Sequence, residues 1–257
     1  MITNLHTHTV RCRHAEGDER EYIERAISSG IKTLGFSDHS PMPFPNDYTS
    51  TFRMGLEETE DYFSTLIRLR EEYKKDIKLL IGVEAEYYPA VFPSLMEFLG
   101  GFPLDYMILG QHFLDNEQDA HYCGRPTDNE ALLEAYVNQT IAGMSTGVFT
   151  CLAHPDLLAF IGPEEIYRKH FSRLCLEAKK LDVPLEINLY GIKDGRPYPC
   201  DRFFSIAGEV GNSVVIGVDA HQPERLSERQ HYEKALDMAR RHGLHVIYDP
   251  EIRTPRL

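Results

Sequence analysis

The sequence predicts an α/β barrel, and three observations carry that expectation. Short apolar runs alternate with longer amphipathic ones along the whole chain, the pattern of strands enclosed by helices. The length of 257 residues is close to the roughly 250 of a single α/β barrel. Residues suited to metal chemistry gather just past the C-terminal ends of the apolar runs, the face on which barrel enzymes build their active sites. No linker, low-complexity tract or break in composition divides the chain, so one domain over residues 1–257 is expected.

The elements follow in order. The first strand is expected at residues 2–5, the second at 33–36 and the third at 78–83, all brief, as buried parallel strands are. Between the second and third, a helix over 56–73 places Tyr62, Phe63, Leu66, Ile67, Leu69 and Tyr73 on one stripe. Glu57 and Glu58 open it and Lys74 and Lys75 close it, in the order that the helix dipole favours. The fourth strand is expected at 106–109. Thr127 and Glu130 have the spacing of a capping box before a helix over 131–142, and the fifth strand follows at 149–153. Pro163 suits the first turn of a helix running to about Leu181, after which come strands at 184–187 and 214–218. Ser227 and Gln230 have the spacing of another box before a helix that stops at Gly243, and an eighth short strand is expected at 245–247.

Composition excludes several classes. A hydrophobic content of 42% and a charged content of 26% are ordinary for a globular domain. The net charge of −13 argues against binding nucleic acid or an anionic membrane surface, since both need clustered Lys and Arg. No apolar run approaches the roughly 18 residues of a membrane span. The N-terminus lacks the basic and apolar regions of a secretory signal. The five cysteines, Cys12, Cys123, Cys151, Cys175 and Cys200, are scattered without a CxxC pair, which fits reduced thiols and a cytoplasmic location.

Twelve histidines on an acidic chain are the chemical clue. His6, His8 and His14 follow the first strand, Asp38 and His39 the second, Glu84 the third, His112 the fourth, His154 the fifth, and Asp219 and His221 the seventh. Each piece alone also fits a surface turn or a satisfied core histidine. Their shared position at one end of six strands points to metal ligation. Nine ligands, His6, His8, His14, His39, Glu84, His112, His154, Asp219 and His221, exceed the four donors of one tetrahedral site, so two or three ions are expected. Imidazole with carboxylate suits Zn, Mn or Fe and fits Mg or Ca poorly. Glu84 is the natural bridge between two ions. Such a cluster acidifies a water for hydrolytic attack and neutralises the charge that develops on the bond being cleaved. Asp38, Asp219 and His221 are the catalytic candidates beside it, with one of the two carboxylates passing a proton to the leaving group.

These motifs resemble the polymerase and histidinol phosphatase (PHP) superfamily over nearly the whole chain. They are His6-Thr7-His8, His14, Ser37-Asp38-His39, Gly82-Val83-Glu84, Gly110-Gln111-His112-Phe113, Ala153-His154-Pro155 and Val218-Asp219-Ala220-His221. The run from Gly35 to Pro45, the triplet Phe52-Arg53-Met54 and His112-Phe113-Leu114-Asp115 are similar to its histidinol-phosphate phosphatase branch. The resemblance implies a distorted (β/α)7 TIM-like barrel with a trinuclear site that hydrolyses L-histidinol phosphate. By position, His6, His8, Glu84 and Asp219 would hold one ion, Glu84, His112 and His154 the second, and His14, His39 and His221 the third.

In that branch a basic residue follows the fifth-strand histidine and an arginine lies in the loop after the sixth strand, both on the phosphate. Here the first position holds no base. Lys193, Arg196 and Arg53 are the substrate-binding candidates, with Arg11 or Arg13 as further replacements. Tyr87, Tyr88, Phe113, Phe160 and Tyr190 are candidates to line the pocket. Other readings are a PHP-type phosphatase or phosphodiesterase for another small phosphoester, a metal-dependent amidohydrolase, which has no use for His14 and His39 as ligands, and a non-catalytic PHP module, whose degenerate forms lose ligands. The absence of GxGxxG, GxxxxGK[ST] and GxSxG removes nucleotide-fold and serine-hydrolase readings.

Overall fold

The computed structural model describes residues 1–118 and 120–255. Eight parallel strands lie in one sheet in chain order: β1 (Thr3–Asn4), β2 (Thr33–His39), β3 (Lys78–Ala85), β4 (Tyr106–Leu109), β5 (Phe149–Leu152), β6 (Leu185–Asn188), β7 (Ser213–Gly217) and β8 (His245–Val246). The helices are α1 (Glu19–Ser28), α2 (Thr59–Tyr73), α3 (Phe92–Leu99), α4 (Glu130–Ser145), α5 (Glu164–Lys180), α6 (Leu189–Asp194), α7 (Asp201–Val210) and α8 (Arg229–Arg241). No helix among the described residues is long and apolar enough to cross a membrane.

The sheet curls until the chain beyond β1 meets the chain beyond β7. Thr7 bridges Ala220 in parallel, the His8 amide donates to Ala220 O at 2.9 Å, and the Ala220 amide donates to His6 O at 3.2 Å. At the other end β8 pairs with β7 through Ser213 and Val214, and Thr3 Oγ1 donates to Asp249 Oδ1 at 3.0 Å. The TIM-like curl the resemblance implied is present, with eight parallel strands where seven were implied: the segments beyond β1 and β7 meet at the C-terminal rim, and β8 extends the sheet past β7 at the other end. Inside, Leu5, Leu80, Tyr106, Ile108, Cys151, Ala153 and Val215 form a small core of their own, while the larger core lies between sheet and helices. Tyr106 is the plug. Its hydroxyl lies 2.7 Å from Leu5 O, and a Cβ at Gly82 would come within 2.4 Å of its ring, so glycine there is what admits it.

All eight expected strands are present, with two informative shifts. β2 runs on to His39 and β3 to Ala85, since the ladder continues through Asp38–Val83 and His39–Glu84 after the apolar residues end. Asp38, His39 and Glu84 thus sit on rigid strand backbone and not in loops. The capping expectations need correction. Asn129 Oδ1, not Thr127, accepts from the Ala131 amide at 2.9 Å, because the helix begins one residue early and Glu130 turns out to Lys169 and His170. The Ser227 hydroxyl donates to Glu224 O and caps nothing, and Pro163 stands just outside α5 as its N-cap. A short 3-10 turn (Leu56–Glu58) precedes α2, whose predicted stripe buries Tyr62, Phe63, Leu66 and Leu69 and half-buries Ile67 and Tyr73. Helices α1, α3, α6 and α7 lie where no helix was expected. Of these, α1 carries a readable signal, the reciprocal capping box of Asp18 and Glu21.

Candidate metal centre

At the C-terminal rim, six strands bring their end residues to one well. Glu84, near the end of β3, stands at its middle. Its Oε2 lies 3.6 Å from both His6 Nε2 and His8 Nε2 and 3.0 Å from His39 Nδ1. Its Oε1 lies 2.8 Å from His154 Nε2 and 3.7 Å from His112 Nε2. Asp219 Oδ1 lies 3.1 Å from His8 Nε2 and 3.5 Å from His6 Nε2. On the outer side, His14 Nε2 and His221 Nε2 face one another at 3.0 Å, and donor atoms of His14, His39 and His221 all lie within 4.8 Å of each other. The same spacing holds for His6, Glu84 and His154, for His6, His8 and Asp219, and for His8, His39 and Glu84. All nine residues read from the sequence are therefore brought together. Cys12, buried in the turn between His8 and His14, adds a sulfur beside His8 and His221.

The buried polar atoms show what this well is suited to hold. His6 Nε2, His8 Nε2, His39 Nδ1, Glu84 Oε2 and Asp219 Oδ1 are buried with no hydrogen-bond partner. Their neighbours are one another at ion-pair distances of 3.0 to 3.6 Å, and since a buried polar atom without a hydrogen bond costs about 1–3 kcal/mol, five converging on one space suit a common partner. The donor set, imidazole nitrogens and carboxylate oxygens, fits a divalent transition metal. The opposite nitrogens are tied down. His6 Nδ1 pairs with Glu186 Oε1 at 2.8 Å, His112 Nδ1 with Glu86 Oε1 at 2.9 Å, and His8 Nδ1 with Asp38 Oδ1 at 3.4 Å. Each carboxylate aims the free nitrogen into the well, the usual support of a ligating histidine. The backbone is strained there too. His154 and Asp219 adopt φ of 29° and 53°, left-handed values costing about 1–3 kcal/mol each for residues with a Cβ.

Charge is divided sharply. Burial raises the Glu84 pKa, but the charged forms of His112 and His6 outweigh it and hold the carboxyl well below its ordinary range. Asp219 behaves alike, with His6 and His8 overcoming burial. Burial disfavours the charged forms of His6 and His8, yet the acids around them lift both well above the ordinary histidine value. In His39 and His221, burial wins and drives the pKa well down.

An open cavity of about 430 Å³ lies over the well, with His14, His39, Glu84, His112, Asp219 and His221 in its floor. Its walls are aromatic: Phe52, Phe113, Tyr122, Tyr190 and Tyr198, with Thr51 and Arg196 beside them. Arg196 is exposed and stacks over the Tyr190 ring at 5.5 Å.

Several sequence assignments are corrected here. Asp38 is fully buried and saturated, bonding His8 and taking the Thr9 amide at 3.2 Å, the Thr9 hydroxyl and the His39 amide at 2.8 Å. It positions His8 and has no free oxygen for a leaving group. Arg53 is 2% exposed and bound to Glu86, Glu117 and Ser40 O, so it is no substrate contact. Lys193 is exposed on α6 and stands outside the cavity lining, unlike Arg196. Arg11 pairs with Glu19 and Asp61, and Arg13 with Glu58, away from the cavity. Of the aromatic candidates Phe113 and Tyr190 line the cavity, whereas Tyr88 and Phe160 are core and Tyr87 packs on Phe92. Sequence reasoning missed Glu86 and Glu186. The readable signal for Glu186 is a charge between Leu185 and Ile187 inside a buried strand, and for Glu86 a second acid two residues beyond Glu84, on the same side of the chain.

Residues 4–189 match the PHP domain family model. The chain belongs to the PHP domain family. Among its PHP relatives, a probable histidinol-phosphatase of Deinococcus radiodurans is 31% identical over 239 residues, covering 89% of each chain. The Bacillus subtilis histidinol-phosphatase is 26% identical, covering 84% of this chain and 92% of that one. Among solved PHP structures, the histidinol phosphate phosphatase of Lactococcus lactis, crystallised with zinc, L-histidinol and phosphate, superposes with a TM-score of 0.74 at 20% identity. The match covers 96% of this chain and 95% of that one.

Proposed function

We propose that this chain is a metal-dependent phosphomonoesterase that hydrolyses L-histidinol phosphate to L-histidinol and phosphate, acting in the cytoplasm as one barrel domain. The observation that carries the reading is the set of five buried, unpartnered donor atoms converging around Glu84. The names of the relatives, histidinol-phosphatases matched over most of both chains, supply the substrate.

In this reading His6, His8, Glu84 and Asp219 would hold one ion, Glu84, His112 and His154 a second, and His14, His39 and His221 a third, with Zn, Mn or Fe as the metals. Bound there, the ions supply an acidified water and neutralise charge on the phosphoryl oxygens. The chain does the rest. Asp38, Glu86 and Glu186 fix the rings of His8, His112 and His6 so that little reorganisation is needed during reaction. Arg196, the cation in the cavity wall, offers its planar fork to the phosphate. Asp219, held at Oδ2 by Asn188 Nδ2 at 3.1 Å and kept ionised by His6 and His8, lines the cavity beside His221 as a ligand and carries no proton for the leaving oxygen, which takes one from water in the open cavity. The aromatic walls exclude water and face the organic part of the substrate.

A second reading, another small phosphoester, is favoured by one observation: Lys193 and Arg53 stand outside the cavity lining and leave Arg196 as its lone guanidinium among the described residues. Release of inorganic phosphate from L-histidinol phosphate, sugar phosphates, nucleotides and cyclic phosphates separates the two. Preference for the first supports the proposal, and equal rates on all would defeat the specific substrate.

A further inference from the structure

The triplet Phe52-Arg53-Met54 has no role in the ligand set, yet Arg53 is the bulkiest of the fully buried side chains. Its guanidinium meets acceptors on every side. Nη1 donates to Ser40 O at 2.9 Å, Nη2 to Glu86 Oε2 at 3.0 Å and also to Glu117 Oε2, and Nε to Glu117 Oε2 at 2.8 Å. Two of the three acceptors are one step from a proposed ligand. Ser40 follows His39, and its amide donates to Glu84 O at 2.8 Å. Glu86 holds His112 Nδ1 through its other oxygen. Glu117 belongs to the loop that follows His112. The guanidinium carbon also lies over Phe52, 4.5 Å from the ring centroid, and Phe52 stands edge-on to His39 and stacked on Phe113 in the cavity wall.

We propose that Arg53 is a positioning residue: by gripping Glu86, Glu117 and Ser40 O together it fixes the ring of His112 at the second ion and seats Phe52 as the wall of the substrate cavity. This rests on the metal-centre reading above. The chemistry suits arginine specifically. A planar fork satisfies three acceptors in fixed directions, which the single ammonium of lysine does not. Freed of Arg53, Glu86 and Glu117 would be neighbouring buried carboxylates without a cation, and Glu86 would turn from His112 toward water.

The test compares wild type, Arg53→Met, Arg53→Lys and Glu86→Gln, each purified with metal and dialysed against graded chelator, with metal ions per chain counted and kcat, KM and Tm measured beside them. Arg53→Met is expected to release one ion at about 10- to 100-fold lower chelator concentration than wild type, the usual effect of removing an outer-shell partner. Its KM should rise as Phe52 loses its seat. Glu86→Gln should release the same ion with KM near wild type, and Arg53→Lys should recover part of the retention. Retention equal to wild type in Arg53→Met, with only Tm lowered, would overturn the proposal. Where Arg53→Met does not fold, wild-type retention in both Arg53→Lys and Glu86→Gln overturns it equally. A wild-type protein that binds no metal refutes the metal-centre reading itself, so the two failures are distinguishable.

Discussion

Replacing Gly110 by Ala probes the bridging role of Glu84 with one methyl group. An ideal Cβ at Gly110 would stand 1.9 Å from Glu84 Oε1, 2.6 Å from its Cδ and 2.8 Å from its Cγ. Relief requires Oε1 to retreat by about 1.5 Å, whereas a metal–ligand bond tolerates about ±0.2 Å. That oxygen is the one facing His154 at 2.8 Å and His112 at 3.7 Å, so the second ion loses its carboxylate. A displacement of about 1 Å at a reacting centre costs on the order of 10²-fold in rate, and Gly110→Ala should lose at least that in kcat together with one ion per chain. Gly147→Ala is the matched control. Its φ of +77° makes any Cβ strained, but no atom lies within 4 Å of the added methyl. It should cost about 1–2 kcal/mol of stability and leave metal content and kcat unchanged. Phosphate release, metal analysis and thermal unfolding of both variants make the assay. A Gly110→Ala protein with full metal and wild-type kcat would refute the bridging role.

Other substitutions and conditions test the surroundings of the well. Glu186 Oε1 orients His6 while its Oε2 takes the His154 amide at 3.0 Å and Asn188 Nδ2 at 2.9 Å, so Glu186→Gln should weaken metal binding about 10- to 100-fold; titration with a metal indicator that shows no change would contradict this. Since His6 and His8 hold protons above the ordinary histidine pKa, metal must displace them, and affinity should rise with pH until both are neutral. Calorimetry in buffers of different ionisation heat should show proton release, and a pH-independent affinity would count against the assignment. The metal-free protein should conversely lose the stabilisation from these two raised histidines as pH climbs through their folded values. Asp156 is pushed up to about 6 by burial, so its ionised form costs stability above that pH, and stability recovers as pH falls through it. Asp156→Asn keeps an acceptor for the Cys200 amide and should gain ~2–3 kcal/mol near pH 8; a loss there in urea unfolding would disprove it.

Which parts were legible from sequence follows from how each residue is held. The nine donors were readable since strands are short and each donor falls where an apolar run stops, so position along the chain maps directly to one rim. Asp38 was placed there correctly but given the wrong task, because only the fold brings Thr9 and His8 onto its oxygens. Arg53 failed for the same reason. A cation in a loop reads as a phosphate contact or a solvated charge, and its burial comes from Glu117, 64 positions away. The cavity walls were half seen: Phe113 and Tyr190 follow strands, whereas Phe52, Tyr122 and Tyr198 come from loops whose packing leaves no periodic mark. Helices α3 and α6, of eight and six residues, are too short for a stripe to show.

The most direct test is to count metal ions per chain while following phosphate release from L-histidinol phosphate, before chelation, after it and after restoring Zn, Mn or Fe. Two or three ions per chain, activity that vanishes on their removal, and recovery on their return are the expected result. A folded, metal-free protein that cleaves the substrate at the same rate, or a fully loaded one that does not cleave it, would contradict the proposed function.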